Sequence, residues 1–328
     1  MKTGKLRWGF VGCGHICHRF ITGIFHSNNS EVSAVYGRRP ERANAFADQY
    51  EIPHRFYDIE EMIHSGTIDV AYIGVTHAFH VAFAKKFLEA GIPVLCEKPL
   101  APNAKMAREL VQCAREHNTF LMEAMWSRFF PAIRDVQEWI AQGKIGRVES
   151  INSTFGFRMN DIPITSRAIA PEHAGGVLLD LGVYQISMMN MLLGHKPIRI
   201  NASAWMGKAG TDETTVAIAE YPDNVIGTMA CAYNALMDNR MTIYGDAGSI
   251  QLEKFYSPIQ AELFCGQEKI TKYYNHPAEG FQYEIDYVAD CIAKNRKEPE
   301  IMPLDESIEV IEIMDGIRAK WGLRYPFE

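Results

Sequence analysis

One short run constrains this chain more than any other feature. Gly12-Cys13-Gly14-His15-Ile16-Cys17 stands between a strand-like apolar segment, residues 6–11, and a helical pattern over residues 14–25. A glycine-rich turn that leads from a strand into a helix lets the backbone close on a phosphate, whose charge the helix N-terminus favours. Gly12 would make the tight turn, Gly14 would let the chain approach a pyrophosphate, and the amides of Cys13, His15 and Ile16 would complete the contact. The third fingerprint position is Cys17 rather than glycine or alanine, so strained helix–strand packing is expected there. An ordinary glycine turn is the alternative reading. The position of the run inside a strand-helix-strand unit favours the phosphate loop.

The alternation continues along the first 120 residues. Strands are expected at 32–36, 70–75, 93–96 and 119–122, and helices at 40–50 and 103–118, with a further helix ending at Gly91. Strands that alternate with helices give a parallel sheet covered on both faces. The second half reads as successive strands at 147–157, 198–205, 214–221, 225–233, 240–244 and 249–252, joined by turns such as Tyr221-Pro222-Asp223-Asn224. A helix from about 176 to 193 interrupts them, and the last 50 residues are helical again. The expected fold is α/β plus α+β. Residues 1–125 would form a Rossmann domain with a doubly wound parallel sheet. Residues 126–328 would form an open, mostly antiparallel sheet domain with helices on one face.

Composition excludes several classes. Hydrophobic residues make up 47% and charged residues 22%, which suits a folded globular chain rather than a disordered or fibrous one. The net charge of 33 − 40 = −7 argues against a nucleic-acid-binding face. The seven cysteines include no C-x-x-C pair, so free thiols in a reducing compartment, the cytoplasm, are expected. No signal peptide and no membrane span are expected; the nearest apolar stretch, 175–194, is broken by Asp180.

An NAD-specific site places a carboxylate at the end of the second strand to bind the ribose 2′-hydroxyl. Here the strand ends Tyr36-Gly37-Arg38-Arg39-Pro40, with no acid among them. Two guanidiniums beside Gly37 suit a 2′-phosphate, so NADP(H) is expected, with an NAD site beside a solvated arginine pair as the alternative.

Two constellations can carry chemistry. Glu97-Lys98-Pro99 closes a strand at the carboxyl edge of the sheet, where such sheets bind ligands. Lys98 there reads equally as a catalytic ammonium or a surface lysine. Further on, Gly175-Gly176-Val177-Leu178-Leu179-Asp180-Leu181-Gly182-Val183-Tyr184 reads as a buried helix with Asp180 and Tyr184 four apart on one face. A structural aspartate with a packed tyrosine is the alternative. An ammonium such as that of Lys98 near Tyr184 would favour the phenolate and make the phenol an acid/base near neutral pH. Thr76, His77 and His80 lie at the top of the third strand. Cofactor contact or helix capping is expected of them rather than metal ligation, and no metal is expected.

Taken together these segments resemble the Gfo/Idh/MocA family of NAD(P)-dependent oxidoreductases. Glu97-Lys98-Pro99 matches its first signature, 175–184 its second, and Asp212-Glu213-Thr214 and Gly245-Asp246-Ala247-Gly248 match features of its sheet domain. Within it, Ala71-Tyr72-Ile73-Gly74, Phe120-Leu121-Met122-Glu123-Ala124-Met125-Trp126, Arg128-Phe129-Phe130-Pro131 and Arg167-Ala168-Ile169 resemble the branch of dimeric dihydrodiol dehydrogenases and NADP-dependent D-xylose dehydrogenases. Tyr184 stands where much of the family has histidine, as in that branch. The resemblance implies hydride transfer between nicotinamide and a CH–OH/C=O group of a sugar or cyclic trans-diol. Tyr184 would exchange the hydroxyl proton, Lys98 would assist it from across a cleft, and Asp180 would orient the substrate. Trp126, Phe155 and Phe281 would line an aromatic pocket. Arg128 and Arg167 would point into it, or else form surface ion pairs. A homodimer, or a dimer of dimers, through the open sheet face is implied as well. The competing expectations are a keto-sugar reductase of the same family and a non-catalytic NADP(H)-binding sensor or regulatory protein.

Overall fold

The order in which the first strands pair fixes where a ligand can bind. In the computed structural model, which describes residues 4–159 and 161–328, β1 (Leu6–Val11) pairs in parallel with β2 (Ser30–Tyr36) on one side and β4 (Val70–Ile73) on the other. With β3 (His54–Phe56), β5 (Val94–Glu97) and β6 (Leu121–Ala124), the sheet runs β3-β2-β1-β4-β5-β6 among the described residues. The order therefore reverses between β1 and β4, and ligands of such sheets bind outside the carboxyl ends of the strands at that switch point. Helices α1 (His15–Phe25), α2 (Pro40–Gln49), α3 (Ile59–His64), α4 (His80–Glu89) and α5 (Ala104–Glu116) supply the crossovers. The central strands β4 and β5 are wholly buried, as parallel strands covered on both faces must be. An aromatic core sits under α1: Phe20 stacks on Tyr72 at 3.9 Å and meets Trp8 edge-on at 5.6 Å. Burial of each such side chain contributes roughly 1.5–3 kcal/mol.

The chain divides into two compact units, and the division is not contiguous. Unit 1 comprises residues up to Trp126 together with Pro277–Ile308; unit 2 comprises Ser127–His276 and Glu309–Glu328. The segment with α8 (Gln282–Ala293) thus belongs to unit 1. Its anchors explain why. Phe281 packs edge-on to Phe20, Ser27 donates to Asp286 at 2.6 Å, and Arg19 pairs with Glu279 at 2.6 Å.

Unit 2 is built on a sheet of eight strands among the described residues, in the order β14-β13-β12-β11-β7-β10-β9-β8. These are β7 (Val148–Gly156), β8 (Arg199–Met206), β9 (Asp212–Glu220), β10 (Ile226–Ala232), β11 (Met241–Gly245), β12 (Gly248–Leu252), β13 (Gln260–Cys265) and β14 (Glu268–Tyr273). Pairing is antiparallel except between β7 and β10. Helices α6 (Pro131–Ala141), α7 (Val183–Leu193) and α9 (Leu304–Lys320) complete the architecture, the last running from the end of unit 1 into unit 2. The stretch Pro171–Leu193 is long and apolar enough to cross a membrane, but 89% of its most apolar window is buried inside the protein. Several of its polar residues reach partners around it. Gln185 donates to the Ser153 and Ala230 carbonyls of the sheet, Ser187 accepts from Arg128, and Asn190 accepts from Tyr221. The length and apolarity of this segment therefore make it a core helix.

Candidate active site

Three segments carry the expected site residues, two in unit 1 and one in unit 2, each held by a different physical device. The first is the turn after β1. Gly12 has φ +118°, and a Cβ there would lie 2.8 Å from the Gly74 carbonyl at the end of β4, so glycine is obligatory. Gly14 caps α1 with extended backbone and no side-chain cap bond. The first-turn amides are thereby left to face an anion. The strain expected at Cys17 is absent for a reason on the neighbouring strand. A Cβ on Gly74 would stand 2.6 Å from the Cys17 sulfur, so the missing side chain of Gly74 makes room for the larger thiol. Burial pushes that thiol far above its ordinary range, and it stays protonated. At the end of β2, Arg38 and Arg39 are exposed, Arg39 at the N-cap of α2, and the Arg38 guanidinium lies 5.6 Å over the ring of Phe79. The nearest acid in the chain, Glu41, is in the first turn of α2. These features fit a dinucleotide, and the exposed guanidiniums fit a 2′-phosphate.

The second segment is the turn after β5. Lys98 is half-buried, and the residues on both sides of it are fixed. Glu97 accepts from the Tyr72 hydroxyl at 2.6 Å. The Leu100 amide donates to buried Glu123 on β6 at 3.0 Å. The fully buried His80 ring lies between the Pro99 carbonyl, 2.8 Å from Nδ1, and the Val75 carbonyl, 3.2 Å from Nε2. His80 therefore brackets the Lys98-Pro99 turn against the end of β4, with the buried His77 ring 5.6 Å away. Thr76 stands at the N-cap of a short 3-10 turn over His77–Phe79, without a side-chain cap bond. Among the described residues no group of three or more His, Cys, Asp or Glu side chains is arranged to hold a metal ion.

The third segment lies in unit 2. Leu178–Gly182 winds as a π-helical turn before α7 begins. Such turns concentrate at functional sites. Asp180 sits in it and Tyr184 in the first turn of α7, so the widened turn, not a regular α-helix, sets their spacing. Asp212 holds the turn's start by accepting from the Leu178 amide at 2.7 Å and from Thr215 at 2.9 Å. Gly176, at φ +129°, leaves space for it, since a Cβ there would fall 2.2 Å from an Asp212 carboxylate oxygen. The Asp180 carboxylate accepts from the Tyr233 hydroxyl at 2.8 Å and lies 3.9 Å from the half-exposed Arg167 guanidinium. Burial first, then the charge of Asp180, holds Tyr233 well above the usual phenol range, so it remains the donor. Tyr184 is buried edge-on to Phe155, centroids 5.6 Å apart. Phe155 in turn stacks on Tyr256 at 4.6 Å and meets Phe157 at 5.3 Å.

The remaining expected site residues take other places. Phe281 is 1% exposed and stacks on Trp126 at 4.2 Å inside unit 1, with the Arg19 guanidinium over both rings. Its contacts are those of a packing residue. Arg128 is buried and donates to the Ser187 side chain and carbonyl at 3.0 and 2.9 Å, so its guanidinium ties the segment before α6 to α7. Tyr233 and Tyr256 are contributors that sequence reasoning missed, and Asp212, read there only as part of a sheet-domain motif, proves to hold the π turn. Tyr233 is 53 residues from Asp180 and follows directly on β10, where nothing local distinguishes it from any strand tyrosine.

Comparison with known proteins agrees with this geometry. Residues 6–125 match the family described as an oxidoreductase family with an NAD-binding Rossmann fold, and residues 133–251 match the GFO/IDH/MocA C-terminal domain. Trans-1,2-dihydrobenzene-1,2-diol dehydrogenase from Mus musculus is 36% identical over 331 residues, covering 98% of each chain. The fold is also similar to a 3-ketoreductase from Actinomadura kijaniata, solved in complex with NADP and TDP-benzene (TM-score 0.87, 21% identity, 96% of this chain and 98% of that one). It is similar as well to levoglucosan dehydrogenase, in complex with NADH and levoglucosan (TM-score 0.87, 19% identity, 97% of each chain). A strand-helix phosphate turn, a lysine fixed at the carboxyl edge of the sheet and a full-length relative at this identity lead to one conclusion: the chain belongs to the Gfo/Idh/MocA family of NAD-binding oxidoreductases.

Proposed function

We propose that this protein is an NADP(H)-dependent dehydrogenase or reductase acting on a CH–OH/C=O group of a sugar or a cyclic trans-diol. The observation that carries the reading is the Asp180 carboxylate, fixed by Tyr233 and Arg167 one turn before Tyr184. A carboxylate held in this way can accept a hydroxyl of the substrate and fix which carbon reacts. Tyr184 takes that carbon's hydroxyl proton in oxidation and returns it in reduction. The Lys98 ammonium favours the phenolate and the developing alkoxide. The bound nicotinamide supplies the hydride acceptor or donor. Tyr256, partly exposed and stacked on the buried Phe155 ring, offers a ring face suited to the apolar side of a sugar or a cyclic diol. The diol-dehydrogenase name of the mouse relative supports this substrate class. Exposed Arg38 and Arg39 at the N-terminus of α2 support NADP(H) over NAD(H).

We further propose a homodimer formed through the open face of the unit 2 sheet. Trp205, Val216 and Ile218 expose 69%, 48% and 52% of their surface on β8 and β9, an apolar strip that a second copy would cover. The seven unpaired cysteines support a cytoplasmic location.

Three measurements test these proposals. Tyr184→Phe is expected to lower kcat at least about 100-fold while leaving NADPH affinity within a factor of about two; unchanged turnover removes Tyr184 from the reaction. The parent protein is expected to bind NADPH more tightly than NADH in a fluorescence titration. Arg38→Ala should then erase about ten- to a hundredfold of that preference, the worth of one or two charge-assisted hydrogen bonds; equal affinities in the parent contradict the 2′-phosphate reading. Sedimentation at micromolar concentration is expected to show a dimer or larger, and Val216→Lys with Ile218→Lys should shift it to monomer; a monomeric parent overturns the sheet-face interface.

A further inference from the structure

We propose that Tyr325 is a positioning residue for Asp180: its hydroxyl pins the Gly175-Gly176 peptide that leads into the π turn. The inference deepens the assignment of Asp180 to substrate orientation given above and rests on it.

The two glycines cannot hold their own shape. With no Cβ, neither restricts the rotation of the peptide between them, and Gly176 stands at φ +129°. That peptide is planar, so its carbonyl and its amide turn together. Both ends are tied. The Gly176 amide donates to the Ala168 carbonyl at 2.8 Å. The Gly175 carbonyl accepts from the buried Tyr325 hydroxyl at 2.9 Å. The carbonyl of Gly176 then accepts from the Asp180 amide at 3.2 Å. A rotation of the first peptide is passed through Gly176 to that bond, and so to the backbone of Asp180. The segment on the other side is fixed as well. A Cβ on Gly175 would lie 2.5 Å from the Ile169 backbone, and the Thr211 hydroxyl donates to the Ile169 carbonyl at 2.7 Å. Arg167, whose guanidinium lies 3.9 Å from the Asp180 carboxylate, belongs to this segment. The Tyr325 bond therefore acts on the turn that carries Asp180 and on the strand of chain that carries its guanidinium.

Tyr325 can do this because it is itself held, by groups that all lie in unit 2. The buried Arg318 guanidinium of α9 lies over its ring at 4.6 Å. The Tyr325 amide donates to the Glu328 carboxylate at 2.9 Å, and Arg318 bonds the same carboxylate at 2.9 and 3.2 Å. Arg318 also pairs with Asp315 at 2.6 Å, one turn earlier on α9. Burial pushes the Tyr325 phenol far above its ordinary range, so it stays a donor. The hydroxyl thus reaches Gly175 on a fixed ring, across 150 positions of chain.

The test is Tyr325→Phe, which keeps the ring under Arg318 and removes the donor. It is read by amide hydrogen exchange and by NADP⁺ reduction with trans-1,2-dihydrobenzene-1,2-diol, the compound in the mouse relative's name. Residues 175–182 are expected to exchange at least about tenfold faster than in the parent, the scale of a lost buried hydrogen bond, with the rest of α7 unchanged. Exchange that superimposes on the parent overturns the proposal. Turnover is expected to fall at least about fivefold in kcat/KM, with NADPH affinity within a factor of about two. Added to Asp180→Asn, the same substitution should cost less than about twofold more, because it acts through Asp180. Losses that multiply in that background overturn the positioning role. Tyr221→Phe serves as the control. It removes another buried hydroxyl bond of unit 2, to Asn190 of α7, and is expected to lower the melting temperature while leaving kcat/KM unchanged. A loss in kcat/KM equal to that of Tyr325→Phe makes the effect one of general stability and overturns the proposal. Glu328→Gln, which loosens Tyr325 without touching its hydroxyl, should give a smaller acceleration over the same segment and keeps the test open if Tyr325→Phe does not fold. If Asp180→Asn turns over like the parent, the reading of Asp180 fails, while the exchange of residues 175–182 still decides whether Tyr325 holds the turn.

Discussion

A lysine ammonium at the carboxyl edge of a parallel sheet can act on a ligand only if the turn that carries it is held still, because a long flexible side chain on a mobile turn has no defined position. Here the turn is held from both sides. His80 ties Pro99 to the end of β4, and Glu123 ties Leu100 to β6. Beneath it the Tyr72–Glu97 bond closes the end of β5. All of these partners are buried, so water does not compete for the bonds. The switch point of the sheet lies one strand away, where a side chain on Gly12 would meet the Gly74 carbonyl and one on Gly74 would meet the Cys17 sulfur.

The second unit solves the same problem for a carboxylate. A buried acid must be paired or neutral. Asp180 is paired, with a phenol that cannot easily ionise and with a guanidinium. Its position follows from the π turn, which is itself held by Asp212 reaching the Leu178 amide past Gly176. Glu284 is the contrasting case: its carboxyl has no hydrogen-bond partner among the described residues, and burial first, then the charge of Glu97, pushes it well above the usual range.

Much of this was legible in the residues, and the limits have physical causes. Both sheets, the phosphate turn and the Gly175-to-Tyr184 segment follow from local pattern, because alternation, glycine punctuation and apolar runs report local structure directly. Short or amphiphilic elements escaped: β3 is three residues long, β13 buries only Ala261 and Leu263, and β14 carries charged, exposed residues that read as loop. The expected two-way cut at residue 125 has no means of showing that Pro277–Ile308 returns to unit 1, since that depends on Phe281 meeting Phe20 across 261 positions of chain. Side-chain roles were the least legible. Arg128 and Arg167 look alike as letters, yet one is buried against Ser187 and the other stands half-exposed beside Asp180. Tyr233 and Glu284 gave no signal at all, because a partner, or the lack of one, exists only once distant strands and helices have packed.

The central claim is that Lys98 and Tyr184 serve one proton transfer. The most direct test is a double-mutant cycle on kcat/KM with Lys98→Met, Tyr184→Phe and the two combined. Groups that act as a unit are strongly non-additive. The account predicts that the double variant is slower than the worse single variant by less than about threefold. Losses that multiply, each substitution costing its full factor in the presence of the other, would mean that the two residues act independently and would contradict it.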